Sequence, residues 1–256
     1  RLWEKGLPLD ERVLKYTAGE DHKLDERLVI YDVRASIAHA EMLSSVNLLT
    51  NEDCSKITNG LEQLLHDFEN GKWTITLQDE DVHTALEVNL TRLIGEVGGK
   101  IHLGRSRNDQ VLVALRLYML DAIDIVSHGI EGLCEALNLL KLRQGEIILP
   151  GTTHMQHAMP SSVALWSEAF IEGFEDIKEG IGNAKIRSNK NPLGSAAGYG
   201  GITAILPAGG TCGGARRLGR NNPLALATAG RPGFPEGIRL SPPRPFLNKL
   251  KKNACA

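Results

Sequence analysis

Four cysteines are all that a chain of 256 residues contains, and none of them stands in a CxxC pair. Cys54, Cys134, Cys212 and Cys255 are too far apart for a zinc-ligand cluster or a disulfide framework. Neither is expected, and a reducing cytoplasm suits them. Long apolar runs are missing too. No stretch approaches the roughly 18 residues that signal a spanning helix, and the opening segment is too charged for a secretory leader. Positive charge is not in excess either. With 29 Lys+Arg against 31 Asp+Glu, the net charge of −2 gives no basic field for nucleic acid and no polybasic anchor for a membrane surface. What remains, 42% hydrophobic and 23% charged side chains, fits a globular cytoplasmic protein with a small-molecule partner. The chain opens on Arg1 instead of methionine, so its true start is expected upstream.

The character of the chain changes near residue 193. Residues 1–192 hold 20 Lys+Arg, 30 Asp+Glu and 19 Gly+Pro, whereas the 64 positions of 193–256 hold 9 Lys+Arg, the single acid Glu236, and another 19 Gly+Pro. Such a Gly/Pro content belongs to low-complexity sequence. Segments such as GGTCGGARRLGR and LSPPRPFLNK have neither helical nor alternating periodicity, so little regular structure is expected there. A basic, Pro-rich tail is one explanation, and loss of the reading frame is the one we favour.

The first part reads as helix, with no convincing sheet. Ile123, Val126, Ile130, Leu133, Leu137 and Leu140 recur at spacings of three and four, a heptad stripe within a long helix between Asn108 and Gly145. Gly129 and Gly132 weaken it by roughly 1 kcal/mol each, so packing must compensate. A second helix is expected to begin at Ser161 or Ser162 after Pro160, with Ala164, Leu165, Ala169, Phe170, Phe174 and Ile177 as its apolar face. Shorter helices are expected over 25–48, with Leu28, Tyr31, Ile37 and Met42 buried, and over 51–70. Seams of this kind call for an oligomeric helical bundle or, more simply, an isolated one.

Three segments carry chemistry. GKIHLGRSRNDQV (99–111) sets Arg105, Ser106, Arg107, Asn108, Asp109 and Gln110 side by side before the heptad helix. Two guanidinium forks beside a helix N-terminus suit a di- or tricarboxylate. The same residues would also serve as a solvated loop that caps the helix. PGTTHMQHAMP (150–160) places Thr153, His154, Gln156 and His157 on an irregular connection between two prolines, with His154 as an acid–base candidate or a structural histidine. In QDEDVHTALE (78–87), Glu80, His83 and Glu87 at i, i+3 and i+7 would share a helical face. No third nitrogen or sulfur ligand accompanies them, so no metal site is expected.

In this order, GRSRNDQV, PGTTHMQHAMP, DEDVHTALE and YDVRASIAHAEML resemble the argininosuccinate lyase and delta-crystallin family of the fumarase/aspartase superfamily over roughly residues 1–198. The resemblance implies an all-α fold, with an elongated helical subunit and long bundle-forming helices, to which the composition adds an irregular Gly/Pro-rich C-terminal tail. Together they divide the chain into an N-terminal helical domain (1–100), the start of a central bundle domain (101–198) and an atypical low-complexity tail (199–256). It implies a homotetramer with active sites shared between subunits, and elimination of fumarate from argininosuccinate to release arginine, with no cofactor and no metal. Carried over by position, His154 is the acid–base residue. Asn108, Thr153, Arg107, Ser106 and, more remotely, His83 contact substrate. Two features depart from the family. Asp21 in YTAGEDHKLD stands where relatives have a substrate-binding serine, and the GSSxMPxKxNP loop with its catalytic serine and lysine is not found; NPLGSAAGYG starts like a family segment and then diverges. The implied alternatives are a catalytically silent structural or interaction protein derived from a lyase, and a sister lyase acting on adenylosuccinate, fumarate or aspartate.

Overall fold

The computed structural model describes residues 11–193, and the Gly/Pro-rich segment from 199 onward lies outside them. After two short helices, α1 (Glu11–Ala18) and α2 (Asp21–Leu24), and a 3-10 turn at Asp25–Leu28, the chain enters α3 (Val29–Ser45). This helix is buried on nearly all sides, because its sequence offers apolar or small residues to two neighbours. Val29, Val33, Ile37, Ala40 and Leu43 face one cluster, shared with Ile57, Leu61, Leu64 and Leu65 of α4 (Asn51–Glu69) and Val82, Ala85, Leu86 and Leu90 of α5 (Val82–Ile94). Tyr31, Ala35 and Ala38 face a second cluster, with Val113, Ala114 and Leu117 of α6 (Arg107–Gln144). Each fully buried leucine or isoleucine contributes about 1.5–3 kcal/mol, so these two clusters fix the N-terminal body. The α4 residues recur at i, i+4, i+7 and i+8, the spacing of one helical face.

Side chains cap the helices where the sequence supplies them. Thr50 accepts from Asp53 N at the start of α4, and Asp81 Oδ1 accepts from Thr84 N at the start of α5. A 3-10 segment, Gly95–His102, then folds back on α5. It passes so close at Gly98 that a β-carbon would sit 2.8 Å from the Thr91 backbone, which only glycine avoids.

Helix α6 has 38 residues and is therefore about 57 Å long. Ser106 and Asp109 close a reciprocal capping box at its N-terminus. Helix α7 (Val163–Ser188), capped by the Ser162 hydroxyl, returns along it. The antiparallel course follows from the ion pairs Lys141–Glu168, Glu131–Lys178 and Asp124–Lys185, whose numbers fall on one helix as they rise on the other. Arg116 reaches the Lys190 carbonyl at the end of the return.

The expectation of no sheet is corrected at the turn between these helices. Ile148–Leu149 (β1) pairs antiparallel with Ser161–Ser162 (β4), and Thr152–Thr153 (β2) with Gln156–His157 (β3). Residues 150–160 thus form an ordered hairpin and not an irregular connection. Its two-residue turn holds both His154 (φ 50°) and Met155 (φ 61°) in the left-handed region without glycine or asparagine.

The apolar stripes are only partly covered. On α6, Ile130 is buried, Ile123, Leu137 and Leu140 are half-buried, and Val126 and Leu133 stay about half exposed at 51% and 50%. On α7 the face against α6 is Val163, Ser167 and Ile171, whereas Leu165, Ala169, Phe170 and Ile177 of the expected apolar face point outward. Among the described residues, no helix is long and apolar enough to cross a membrane.

Candidate functional site

The segment singled out at 99–111 splits into residues that turn inward and residues that stay at the surface. Asp109 and Gln110 are buried, and so is Arg105, at 7% exposure. Arg105 is therefore not the outward fork expected from the sequence. Its Nη2 donates to Ser36 Oγ at 3.0 Å, and burial pulls its guanidinium down to a pKa of about 10 against the attraction of Asp32 and Asp109. Ser106 and Arg107 are half-buried and Asn108 is exposed, so these three form the accessible part of the segment. Ser106 caps α6 and Arg107 and Asn108 open its first turn, the end of a helix whose dipole favours an anion. Arg107 Nη2 already donates to Asp81 Oδ2 and, at 3.1 Å, to Thr84 Oγ1.

His83 is placed differently from the sequence expectation. It is 2% exposed, and its Nδ1 donates to Asp32 Oδ2 at 2.7 Å, so it faces the core and not a solvent-open pocket in this chain. Burial opposes charging of His83, but the adjacent Asp32 carboxylate outweighs it and the pKa rises. Asp32 is desolvated as well, yet His83, Arg105 and Gln110 hold its carboxyl below the usual range. The face expected to join Glu80, His83 and Glu87 does not form. Glu80, with φ 68°, lies before the α5 cap, and Glu87 Oε2 stands 3.0 Å from His102 Nε2. Among the described residues no group of three or more His, Cys, Asp or Glu side chains is placed to hold a metal ion.

Thr153 and His154 are exposed at the tip of the hairpin. That tip follows the C-terminal end of α6, whereas Ser106–Asn108 stand at its N-terminal end, about 57 Å away along the helix. Within a single chain the structure does not bring these two segments together. Asp21, at the position of the family serine, is exposed on α2.

Sequence reading missed a set of buried polar residues on α3. Asp32 accepts two bonds from Gln110 Nε2, at 2.8 and 2.9 Å, and one from Ser36 at 3.2 Å. His39 Nε2 donates to the Leu103 carbonyl at 2.9 Å, and burial drives its pKa down to about 3, keeping it neutral. The available signal was the i, i+4, i+7 spacing of Asp32, Ser36 and His39 inside an otherwise apolar helix.

Comparison with known proteins places this arrangement. Residues 10–208, most of the chain, match the family described as lyase. The chain belongs to the lyase family. An argininosuccinate lyase from Sorangium cellulosum is 42% identical over 233 residues, covering 90% of this chain and 53% of that protein. One from Thermotoga neapolitana is 42% identical over 200 residues, covering 78% and 50%. The chain thus spans about half the length of the curated relatives it matches. Among solved structures, an EDDS lyase variant with bound fumarate is 26% identical with a TM-score of 0.63, covering 79% of this lyase-family chain and 40% of that one. A fumarate lyase from Mesorhizobium sp. BNC1 shares the fold, with a TM-score of 0.58 at 19% identity over 87% of this chain and 50% of its own. The all-α, fumarase/aspartase-type architecture expected from the motifs is the one observed.

Proposed function

We propose that this lyase-family chain supplies carboxylate-gripping and proton-handling elements of an argininosuccinate-cleaving site shared between copies of the chain, a site to which the family's serine- and lysine-bearing loop, not found in this sequence, would also belong. The observation that carries the reading is the division of the 105–110 segment. Its anchors are buried while Ser106, Arg107 and Asn108 remain accessible at the N-terminus of a 38-residue helix. There, the Arg107 guanidinium and the first-turn N–H groups would hold a substrate carboxylate, and Asn108 and Ser106 would add hydrogen bonds. Thr153 and His154 would act on the same substrate from another subunit, Thr153 by binding and His154 by moving a proton. Two features support that sharing. The length of α6 separates the two segments in one chain, and Val126, Leu133, Leu165, Phe170 and Ile177 are left for another helix to cover.

In the reaction, a proton leaves the carbon beside a succinate carboxylate, arginine is expelled and fumarate remains. Fixed positive and hydrogen-bonding groups around the carboxylate that takes up the developing charge lower the barrier. Argininosuccinate is favoured over other fumarate-releasing substrates by the 42% identity to argininosuccinate lyases, against 26% to the EDDS lyase. His83 serves this site through Asp32 and not by direct contact.

The test is calorimetry with fumarate on the assembled full chain, alongside an ultraviolet assay of fumarate release from argininosuccinate. Binding should fall at least tenfold in Arg107→Ala, the loss of one charged hydrogen-bonded contact, about 1.5–3 kcal/mol. A soluble assembly that bound neither ligand would refute the reading. Binding without turnover would instead mark a lyase-derived assembly protein.

A further inference from the structure

The buried stripe of α3 and the segment before α6 fit together in a way that the proposed chemistry does not itself require. Asp32, Ser36 and His39 stand at i, i+4 and i+7, and each is at most 2% exposed. Their partners are Gln110, Arg105 and the Leu103 carbonyl, in that order. As one series of numbers rises the other falls, so the segment 103–110 lies antiparallel along α3 and is fastened at three points. Between the fastened residues 105 and 110 stand Ser106, Arg107 and Asn108, the part left accessible.

Local backbone bonds alone hold this segment weakly. It leaves a 3-10 helix at His102, passes through Gly104 at φ 70°, and has Leu103 N bonded to Lys100 O and Arg105 N to His102 O. An apolar stripe would pack against α6 at lower desolvation cost, since buried polar side chains cost free energy unless bonded. What polar residues add here is direction. The His39 ring meets the Leu103 carbonyl through Nε2 alone, and Ser36 offers Arg105 a single oxygen at a set height on the helix.

We infer that Ser36 and His39 are positioning residues that hold the 103–106 strap on α3 so that Ser106, Arg107 and Asn108 face the ligand. Neither touches the ligand. This deepens the proposed function and rests on it for the identity of what is bound.

The experiment uses the full chain with fumarate as the probe, and hydrogen–deuterium exchange as a second readout that needs no ligand. In His39→Leu, helical circular dichroism and cooperative unfolding are retained. Fumarate binding weakens about tenfold and exchange of the 103–110 amides quickens about tenfold, the equivalent of one hydrogen bond. His39→Gln, which keeps an N–H donor, restores both. Ser36→Ala changes the same amides and serves in place of the leucine variant should that one not fold. Unchanged binding and exchange in His39→Leu would overturn the inference, as would failure of the glutamine to restore them. So would faster exchange spread evenly over α3, α4 and α5, the mark of a merely structural role. If the parent chain binds no fumarate, the carboxylate reading fails, while exchange confined to 103–110 still upholds the strap.

Discussion

The neutral, buried His39 makes a pH dependence that can be isolated by one substitution. Its folded-state pKa lies near 3, well below the value of 6.5 it has when unfolded, because burial penalises the cation. A group with a depressed folded pKa contributes stability that is present above its unfolded pKa. That stability is lost as pH falls from 6.5 toward 3. The full span, 3.5 units at 1.36 kcal/mol each, corresponds to about 5 kcal/mol. A practical window is pH 7.5 to 5.5, above the range where carboxylates titrate. There the unfolded chain takes up nearly one proton at residue 39 and the folded chain takes up none, so the loss is about 1.4 kcal/mol. Arg105, His102 and Asp109 face His39, and His83 titrates with the opposite sign, so a single pH curve would mix these contributions. Comparing parent with His39→Gln cancels them. Urea unfolding of both chains, followed by far-ultraviolet circular dichroism, should show the variant gaining about 1.4 kcal/mol on the parent as pH falls across this window. Parallel stability lines for the two chains would falsify the burial of a neutral imidazole at this position.

Three further outcomes follow from the same interactions. Asp32→Asn leaves His83 and Arg105 without their shared counter-charge, and urea unfolding at pH 6 should register a loss of about 3–5 kcal/mol; a loss under 1 kcal/mol would mean that the pair is not buried as described. Ser106→Ala removes half of the α6 capping box, and thermal unfolding should report about 1 kcal/mol of destabilisation with fumarate absent. Leu133→Asp places a charge on the uncovered stripe of α6, so sedimentation velocity should show the proposed assembly dissociating while helicity is kept. An unchanged sedimentation coefficient would remove that stripe from the assembly interface.

Much of the fold could be read from local signals because those signals are short-ranged. The polar run Ser106 to Asp109, and Ser161 or Ser162 after Pro160, mark helix starts that the structure places at Arg107, capped by Ser106, and at Val163, capped by Ser162. The hairpin at 148–162 gave no such sign. Its turn uses His154 and Met155 at positive φ, where the usual cue is Asn-Gly, so tertiary context and not turn chemistry sets it. The sequence picks out an apolar face on α7 because leucine, phenylalanine and isoleucine outrank serine on any apolar scale, and it gives no sign that Ser167 is fully buried against α6 while Phe170 points outward. An apolar stripe left exposed and one packed in the chain's own core have the same periodicity, and only the neighbouring element tells them apart. At the candidate site the residue types were legible, but their directions were not. Arg105 and Arg107 are two positions apart at the mouth of a helix, and burial against Ser36 separates their roles.

The Asp81 carboxylate divides its two oxygens between tasks, Oδ1 closing the first turn of α5 and Oδ2 holding Arg107. Arginine side chain and helix end therefore move as one mechanical unit. A ligand that draws the guanidinium away takes a bonding partner from Asp81 and from Thr84 alike, so occupancy would be felt at the start of α5, the helix that borders the arginine.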